Sequence, residues 1–83
     1  MSGTLKYPLS TEKSVRLLSS ENKIVFVVEN KSNKKQIKED FEKMFKVKVL
    51  KVNTLIHKGR KKAYIKLPPE NPAIDIATQM GLM

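Results

Sequence analysis

The sequence predicts a mixed α/β fold of the α+β type, in which helices pack on a small antiparallel sheet in a ferredoxin-like arrangement. Apolar residues repeat with strand and helix periods in the order (β)-α-β-α-β-β-α. The last two strands are joined by a short loop containing glycine, which requires an antiparallel hairpin. A β-α-β unit followed by a hairpin indicates a split arrangement, in which the last strand inserts between the two strands before it.

The length of 83 residues predicts one domain over 1–83, because a second core would not fit. Residues 1–4 are small and polar and are expected to be flexible. Leu5 to Leu9 is expected to be extended, because a proline near its end disfavours helical angles. A first helix begins at Ser10 or Thr11 and ends at Glu21-Asn22.

The middle of the chain predicts a strand, a helix and a second strand. Lys23 to Glu29 holds a continuous run of β-branched and aromatic residues, which favours an interior strand buried on both faces. Asn33 and Gln36 have the spacing of a capping box, and an apolar stripe follows at helical spacing. Val47 to Ile56 is expected to be a long strand, in which a switch of apolar parity indicates either a bulge or a start near Val49.

The last part of the chain predicts a hairpin and a helix. His57 to Lys61 is the expected turn and Lys62 to Leu67 the strand that follows it. Pro68-Pro69 ends that strand, and Asn71-Pro72 begins a final helix. Because successive strand residues point to opposite faces, one face of the strand is apolar and the other is basic with a tyrosine. The two sets are Ala63, Ile65 and Leu67, and Lys62, Tyr64 and Lys66.

The charge balance indicates the kind of partner. Lysine and arginine number 17 against 8 acids, which gives a net charge of +9. Such a small, positively charged body is expected to bind nucleic acid, an anionic membrane or an acidic protein. The absence of cysteine excludes a disulfide framework and a thiolate metal cage, and favours an intracellular setting. With no signal peptide pattern and no apolar run of ~20 residues, the protein is expected to be soluble and cytoplasmic, without membrane insertion.

The basic residues are unevenly distributed. Between Lys43 and Pro69 there are nine basic residues and no acid. A solvated surface explains a single lysine, but solubility requires no such segregation. A second group at the start of the middle helix opposes the helix dipole unless an anion binds there. The hairpin group is Lys58, Arg60, Lys61, Lys62 and Lys66, and the helix group is Lys31, Lys34, Lys35 and Lys38.

Several polar residues near the hairpin have two interpretations each. Tyr64 either stacks on a base or ribose between two phosphate contacts, or packs under a helix with its hydroxyl at the rim. Asn53 and Thr54 either bind phosphate or ribose hydroxyls, or have ordinary roles in the strand. His57, the only histidine, has no nearby cysteine or carboxylate and makes a poor metal ligand.

Catalysis has little support in the sequence. The serines and threonines lack a histidine–acid partnership, the acids of the middle helix lie among lysines, and no glycine-rich phosphate-binding motif occurs. The sequence therefore predicts no enzyme activity, no cofactor, no metal and no small-molecule substrate. A small ferredoxin-like enzyme acting on phosphates has only the basic loop in its favour. A free-standing single-stranded RNA-binding module of the RNP type is the stronger alternative, although Arg60 and Lys62 depart from its motif.

Four segments together resemble the large-subunit ribosomal protein L23 family, in its archaeal form. They are YPLSTEKS, NKKQIKEDFEKMFKVKVLKVNTLI, KGRKKAYIKL and PAIDIATQMG, which together span roughly Tyr7 to Gly81. The resemblance implies a structural constituent of the large ribosomal subunit that binds large-subunit rRNA beside the peptide exit tunnel. It also implies contacts with neighbouring ribosomal proteins and a transient contact with the signal recognition particle.

The resemblance also implies which residues make these contacts. Glu12 of the TEK triplet is implied to dock factors that meet the emerging chain, whereas Lys13 beside it is an RNA contact. The short hairpin departs from bacterial members, so a loop that reaches into the tunnel is not expected. Lys66 of the hairpin group joins the predicted rRNA-binding set. The remaining members of that set are Lys34, Lys35, Asn53, Thr54, Lys58, Gly59, Arg60, Lys61, Lys62 and Tyr64.

Overall fold

The computed structural model describes residues 3–82, and within them four strands form one antiparallel sheet with three helices. Residues 1 and 2, which were predicted to be flexible, lie outside the described part. Thr4, from the same predicted segment, is held to the sheet, because its carbonyl accepts a hydrogen bond from the Glu29 N–H at 2.8 Å. No helix between residues 3 and 82 has the length and apolarity that crossing a membrane requires. The elements are β1 (Leu5–Pro8), α1 (Glu12–Ser20), β2 (Lys23–Val28), α2 (Lys34–Phe45), β3 (Lys51–His57), β4 (Arg60–Lys66) and α3 (Ala73–Gln79).

The sheet has the strand order β1-β2-β4-β3, which confirms the predicted split arrangement. β4 lies between β2 and β3 and pairs with both in antiparallel register. Tyr64 of β4 is opposite Val25 on one side and Asn53 on the other. Residues opposite each other in antiparallel strands point to the same side of the sheet, so these pairs define which side chains share a face.

The main core cluster lies on one side of the sheet. Ile24 and Phe26 of β2, together with Ile65 of β4, are fully buried against helix residues such as Phe41. The Phe26 and Phe41 rings meet edge to face, with centroids 5.7 Å apart. Such a contact adds about 0.5–1.5 kcal/mol to the burial of the rings. The helices are therefore anchored to this side, which we call the helix face.

The predicted helix caps are confirmed. Of the two candidates for α1, Thr11 is the cap, and its hydroxyl accepts from the Ser14 N–H at 3.3 Å. At the start of α2, the Asn33 side chain accepts from the Gln36 N–H at 2.8 Å and the Gln36 side chain accepts from the Asn33 N–H at 3.0 Å. This reciprocal pair satisfies two N–H groups that the helix itself leaves unpaired.

The strand predicted for Val47 to Ile56 is shorter at its start, because β3 begins at Lys51. Lys46 ends α2 in the left-handed conformation, with φ of 55°. Val49 is then buried without strand pairing, and its N–H donates to the Glu42 carboxylate at 2.9 Å. The switch in apolar parity thus reflects an irregular segment that packs on the core before the strand begins.

The second strand of the hairpin, β4, begins earlier in the chain than predicted. β4 begins at Arg60 rather than Lys62, because the turn contains only Lys58 and Gly59. The strand ends at Lys66, one residue before the predicted end. The alternation predicted within β4 is confirmed, since Ala63 and Ile65 are buried on the helix face while Lys62, Tyr64 and Lys66 are half-buried.

Asn22 joins the end of α1 to the loop before α3. Its side-chain amide donates to the carbonyls of Leu67 at 2.8 Å, Pro68 at 3.0 Å and Asn71 at 3.3 Å. Its side-chain oxygen accepts from the Ala73 N–H at 2.7 Å, so it caps α3 from a distant part of the chain. The φ of 53° at Asn22 also suits asparagine better than most residues.

We expect Asn22→Ala to lower the free energy of unfolding by about 2–3 kcal/mol, because it leaves several partly buried backbone groups without a partner. Urea unfolding measures the change as a lower midpoint at an unchanged slope. Asn22→Asp keeps the acceptor for the Ala73 N–H but sets a carboxylate oxygen against three carbonyl oxygens, so it should lose at least as much. The exposed Ser19→Ala is the control, and a loss at Asn22→Ala no larger than this control contradicts the role given to Asn22.

Candidate nucleic-acid interface

The hairpin tip is a two-residue turn that exposes its basic residues. Lys58 and Gly59 both have positive φ, 53° and 76°, as a type I′ turn requires. His57 and Arg60 flank the turn opposite each other, and all four residues are exposed. The turn is thus shorter than the predicted segment His57–Lys61, and its cations project into solvent at the end of the sheet.

Asn30 holds this tip from the loop that follows β2. Its side-chain amide donates to the Gly59 carbonyl at 3.2 Å, and its side-chain oxygen accepts from the Lys61 N–H at 3.2 Å. The side chain therefore extends the pairing between β2 and β4 beyond the last paired residue, Val28. Sequence patterns gave no signal for this role, because a loop asparagine has many ordinary uses.

The strand alternation divides the basic hairpin between two faces. The side of the sheet opposite the helix face, which we call the open face, carries residues of one parity from β2, β3 and β4. Lys61 has the other parity and lies on the helix face, where its ammonium donates to the Ser32 carbonyl. The open-face residues are Lys23, Val25, Val27, Lys51, Asn53, Leu55, His57, Arg60, Lys62, Tyr64 and Lys66.

Three lysines lie side by side at one end of the open face. Lys66 is directly opposite Lys23 on β2 and Lys51 on β3. Like charges in opposite positions destabilise a sheet. Among the described residues 3–82, only Lys23 of the three has an acid partner, Glu21, with 3.0 Å between the ammonium nitrogen and the carboxylate oxygen. The pKa of the Glu21 carboxyl is lowered, mainly by the hydrogen bond from Lys23 and by the charge of Lys23. The charge of Lys66 lowers this pKa further.

The acid-free stretch is not neutralised by folding. Within residues 3–82 the ion pairs are Lys6–Glu29, Arg16–Glu12 and Lys23–Glu21. None of the nine basic residues between Lys43 and Pro69 takes part in these pairs. Of the nine, Lys51, Lys58, Arg60, Lys62 and Lys66 lie together on the open face and hairpin tip, where they remain available to an external anion.

The alternation of side chains along the strands also places the polar residues that were predicted to bind RNA on two different faces of the sheet. Tyr64 and Asn53 are neighbours on the open face, both half-buried. Tyr64 lies beside Leu17 of α1 at the margin of this face, so its ring is not enclosed in the main core. Thr54 has the opposite parity and is half-buried on the helix side. Asn53 and Tyr64 are thus brought together with the cations, whereas Thr54 is not.

The two basic clusters lie at the same end of the molecule. Lys34 and Lys35 are exposed in the first turn of α2, which contains no acid. The loop before this helix contacts the hairpin twice, through Asn30 with Gly59 and through Ser32 with Lys61. The start of α2 therefore adjoins the hairpin tip.

The start of α1 presents one acid and one base. Glu12 is exposed, and its carboxylate pairs with Arg16 one turn later at 3.2 Å. Lys13 is also exposed and lines a hollow on the open face together with Tyr64. Of these two adjacent residues, Glu12 faces Arg16 on its own helix, whereas Lys13 faces the hollow on the open face. Residues 3–82 contain no group of three or more side chains of the types that hold a metal.

A basic, partly aromatic sheet face beside an unneutralised hairpin defines a small RNA-binding protein of the α+β class. The family model described as ribosomal protein L23 matches residues 3–76. The chain therefore belongs to the ribosomal protein L23 family, a family of structural ribosomal proteins, and it is a large-subunit ribosomal protein of the translation machinery. This confirms the family to which the sequence was assigned, whereas its archaeal form stays a prediction, and it favours a ribosomal role over the free-standing RNP-type module.

We expect Asn30→Ala to loosen the hairpin tip without unfolding the domain. Loss of an exposed hydrogen bond costs about 0.5–1.5 kcal/mol, so amide hydrogen exchange at Lys61 should become roughly 2- to 10-fold faster. Hydrogen exchange followed by NMR gives the rate residue by residue, with Ile65 as the internal reference for global opening. Equal acceleration at Lys61 and Ile65, or none at either, contradicts local control of the tip by Asn30.

Proposed function

We propose that the protein binds large-subunit rRNA through its open face and hairpin tip. The observation that carries the proposal is that five basic residues of the acid-free stretch lie on the open face and hairpin tip, namely Lys51, Lys58, Arg60, Lys62 and Lys66. Within residues 3–82, none of these five takes part in an ion pair. The proposed principal contacts are Lys58, Gly59, Arg60, Lys62, Lys66, Asn53 and Tyr64. Lys13 at one margin of the face, and Lys34 and Lys35 beside the hairpin, extend the same basic surface.

The mechanism is electrostatic displacement of counterions. Each lysine or arginine that neutralises a phosphate releases condensed cations, which lowers the logarithm of the binding constant by about 0.7–0.9 per tenfold increase in salt. Arg60 can make a bidentate contact with phosphate, whereas the lysines act as point charges. The Tyr7 hydroxyl accepts a hydrogen bond from the Arg60 guanidinium at 3.2 Å, which limits the orientations of that side chain.

Specificity requires contacts besides phosphate, because phosphates are present along every RNA strand. Asn53 and Tyr64 are the polar and aromatic groups next to the cations. Tyr64 can stack on a base, and the Asn53 amide can bind a ribose hydroxyl or a base edge. Thr54 and Lys61 belong to the predicted contact set, but their side chains lie towards the helix face. We infer that these two residues contribute least to the contact.

The proposed location and partners are those that the resemblance to the family implies. We propose that the protein lies beside the peptide exit tunnel in the cytoplasm, next to neighbouring ribosomal proteins, and that it is of the archaeal type. The two-residue turn at Lys58-Gly59 supports this, since a long tunnel-reaching loop is absent from the described hairpin. A transient contact with the signal recognition particle completes the proposal, and exposed Glu12 is its docking residue.

The first test removes the hairpin cations. We expect the combined alanine variant to lose most of its affinity for protein-free large-subunit rRNA and to have a shallower salt dependence, while the fold survives. Filter binding over a range of salt measures both. The control removes equal charge elsewhere and should change the slope little, whereas equal effects of the two variants contradict the assignment. The test set is Lys58, Arg60, Lys61 and Lys62, and the control set is Lys6, Arg16, Lys38 and Lys43.

A pair of single variants separates the two faces. Lys62→Ala should reduce the salt slope by about 0.7–0.9, the value for one phosphate contact. Lys61→Ala should leave the slope near that of the original protein, because its ammonium already bonds to the Ser32 carbonyl. Lys61 and Lys62 are neighbours of the same charge type, so each is the matched control for the other. A larger effect at Lys61 would reverse the assignment of the binding face.

A charge reversal tests the docking proposal. Glu12→Lys should weaken binding of the signal recognition particle to whole ribosomes several-fold and leave subunit assembly intact. Loss of the exposed Glu12–Arg16 pair costs only about 0.3–0.5 kcal/mol, so the fold is retained. Glu39→Lys, an equal charge change on exposed α2, is the control. Co-sedimentation measures the binding, and a loss of assembly in Glu12→Lys would place Glu12 on the RNA side.

A further inference from the structure

Two adjoining hollows lie on the open face. The first, of about 350 Å³, is lined by Val25, Tyr64 and Leu55 and bounded by Leu17 of α1. The second, of about 380 Å³, is lined by Val27 together with residues of the hairpin. Both volumes fall within the range of roughly 300–1,000 Å³ that is usual for sites that hold small organic groups. Lys62 lines both hollows and so lies where they meet.

Each hollow has an apolar floor although it lies away from the core. Val25 and Val27 are only 2% and 3% exposed, yet they face the side of the sheet opposite the main helix-packed cluster. Leu9 lines both hollows. Because neighbouring residues almost fully cover these valines, the apolar surface that a flat ring can reach is that of Leu9, which is half-buried, and of Leu55, which is 52% exposed at the first hollow. Tyr64 supplies a ring beside the first hollow.

The rims of the hollows are basic. Lys13 and Lys62 line the first, Lys58 and Arg60 join Lys62 at the second, and His57 lines both. No acidic side chain lines either hollow. An apolar floor within a cationic rim suits a ligand with flat rings joined by phosphates. An apolar peptide gains nothing from this rim, so a nucleotide chain is the better match.

The spacing indicates unpaired nucleotides. Val25 and Val27 are two residues apart on one strand, which separates them by about 6.4–6.8 Å. This is roughly twice the ~3.4 Å per nucleotide of a stacked duplex strand. Consecutive stacked bases are too closely spaced to enter one hollow each, whereas consecutive bases turned out of a single strand can.

We propose that the two hollows bind two consecutive unpaired nucleotides of the RNA, one base in each, with the linking phosphate at Lys62. This inference rests on the proposed function and goes beyond it, because it names the ligand as an unpaired dinucleotide step rather than a duplex surface. The base in the first hollow stacks on Tyr64. Asn53 is opposite Tyr64 in the register and shares the open face with it.

The test uses the full-length protein and protein-free large-subunit rRNA. Chemical probing of base edges should reveal two adjacent nucleotides that are reactive alone and protected in the complex. Tyr64→Leu should lose the protection of one of them and lower the affinity about 5- to 100-fold, the usual effect of losing one stacking contact, with an unchanged salt slope. Tyr64→Phe keeps the ring and should bind within about 2-fold of the original protein.

The outcomes distinguish the two proposals. Binding with protection confined to the backbone of paired nucleotides, or Tyr64→Leu with unchanged affinity, overturns the dinucleotide site and leaves rRNA binding in place. No binding of the original protein to the rRNA overturns both. The footprint of the original protein decides the matter even if Tyr64→Leu fails to fold, and thermal unfolding of both variants checks that they are folded.

Discussion

The position of β4 between β2 and β3 is the constraint on which the rest of the structure depends. Pairing on both sides uses the backbone groups of this strand, so its side chains must alternate between two fixed faces. Ala63 and Ile65 are fully buried and require the helices on one face. Lys62, Tyr64 and Lys66 are thereby directed to the other. The chemistry of the open face is thus a consequence of how the core is built.

The free domain is expected to have a low free energy of unfolding, for two reasons. A chain of this size buries a modest fraction of its surface, and its net charge of +9 repels itself. The row Lys23–Lys66–Lys51 adds local repulsion in the sheet. A polyanion on the open face relieves both and stabilises the folded state by mass action. If the proposed rRNA contact is correct, binding and stability are coupled through the same lysines.

The sequence predicted those features that depend on local periodicity. The element order, the capping box at Asn33 and the alternation within β4 all follow from residues near each other in the chain. Long-range bonds were missed. The sequence identifies Asn22 only as a residue that ends α1. Its hydrogen bonds to Leu67 and Ala73 join residues separated by more than half the length of the chain, so no local pattern predicts them.

The candidate site was predicted in part for the same reason. Charge segregation identified the hairpin, and strand parity identified Lys62, Tyr64 and Lys66 as one face. The register with β2 and β3 supplied what the sequence could not, namely that Lys23 and Lys51 join this face.

Chemical modification of lysines, compared between the free protein and intact large subunits, tests the central claim most directly. The account predicts that Lys62 and Lys66 react in the free protein and are protected on the subunit, while Lys6 and Lys43 react in both. Equal protection of all four, or free reaction of Lys62 on the subunit, would contradict it.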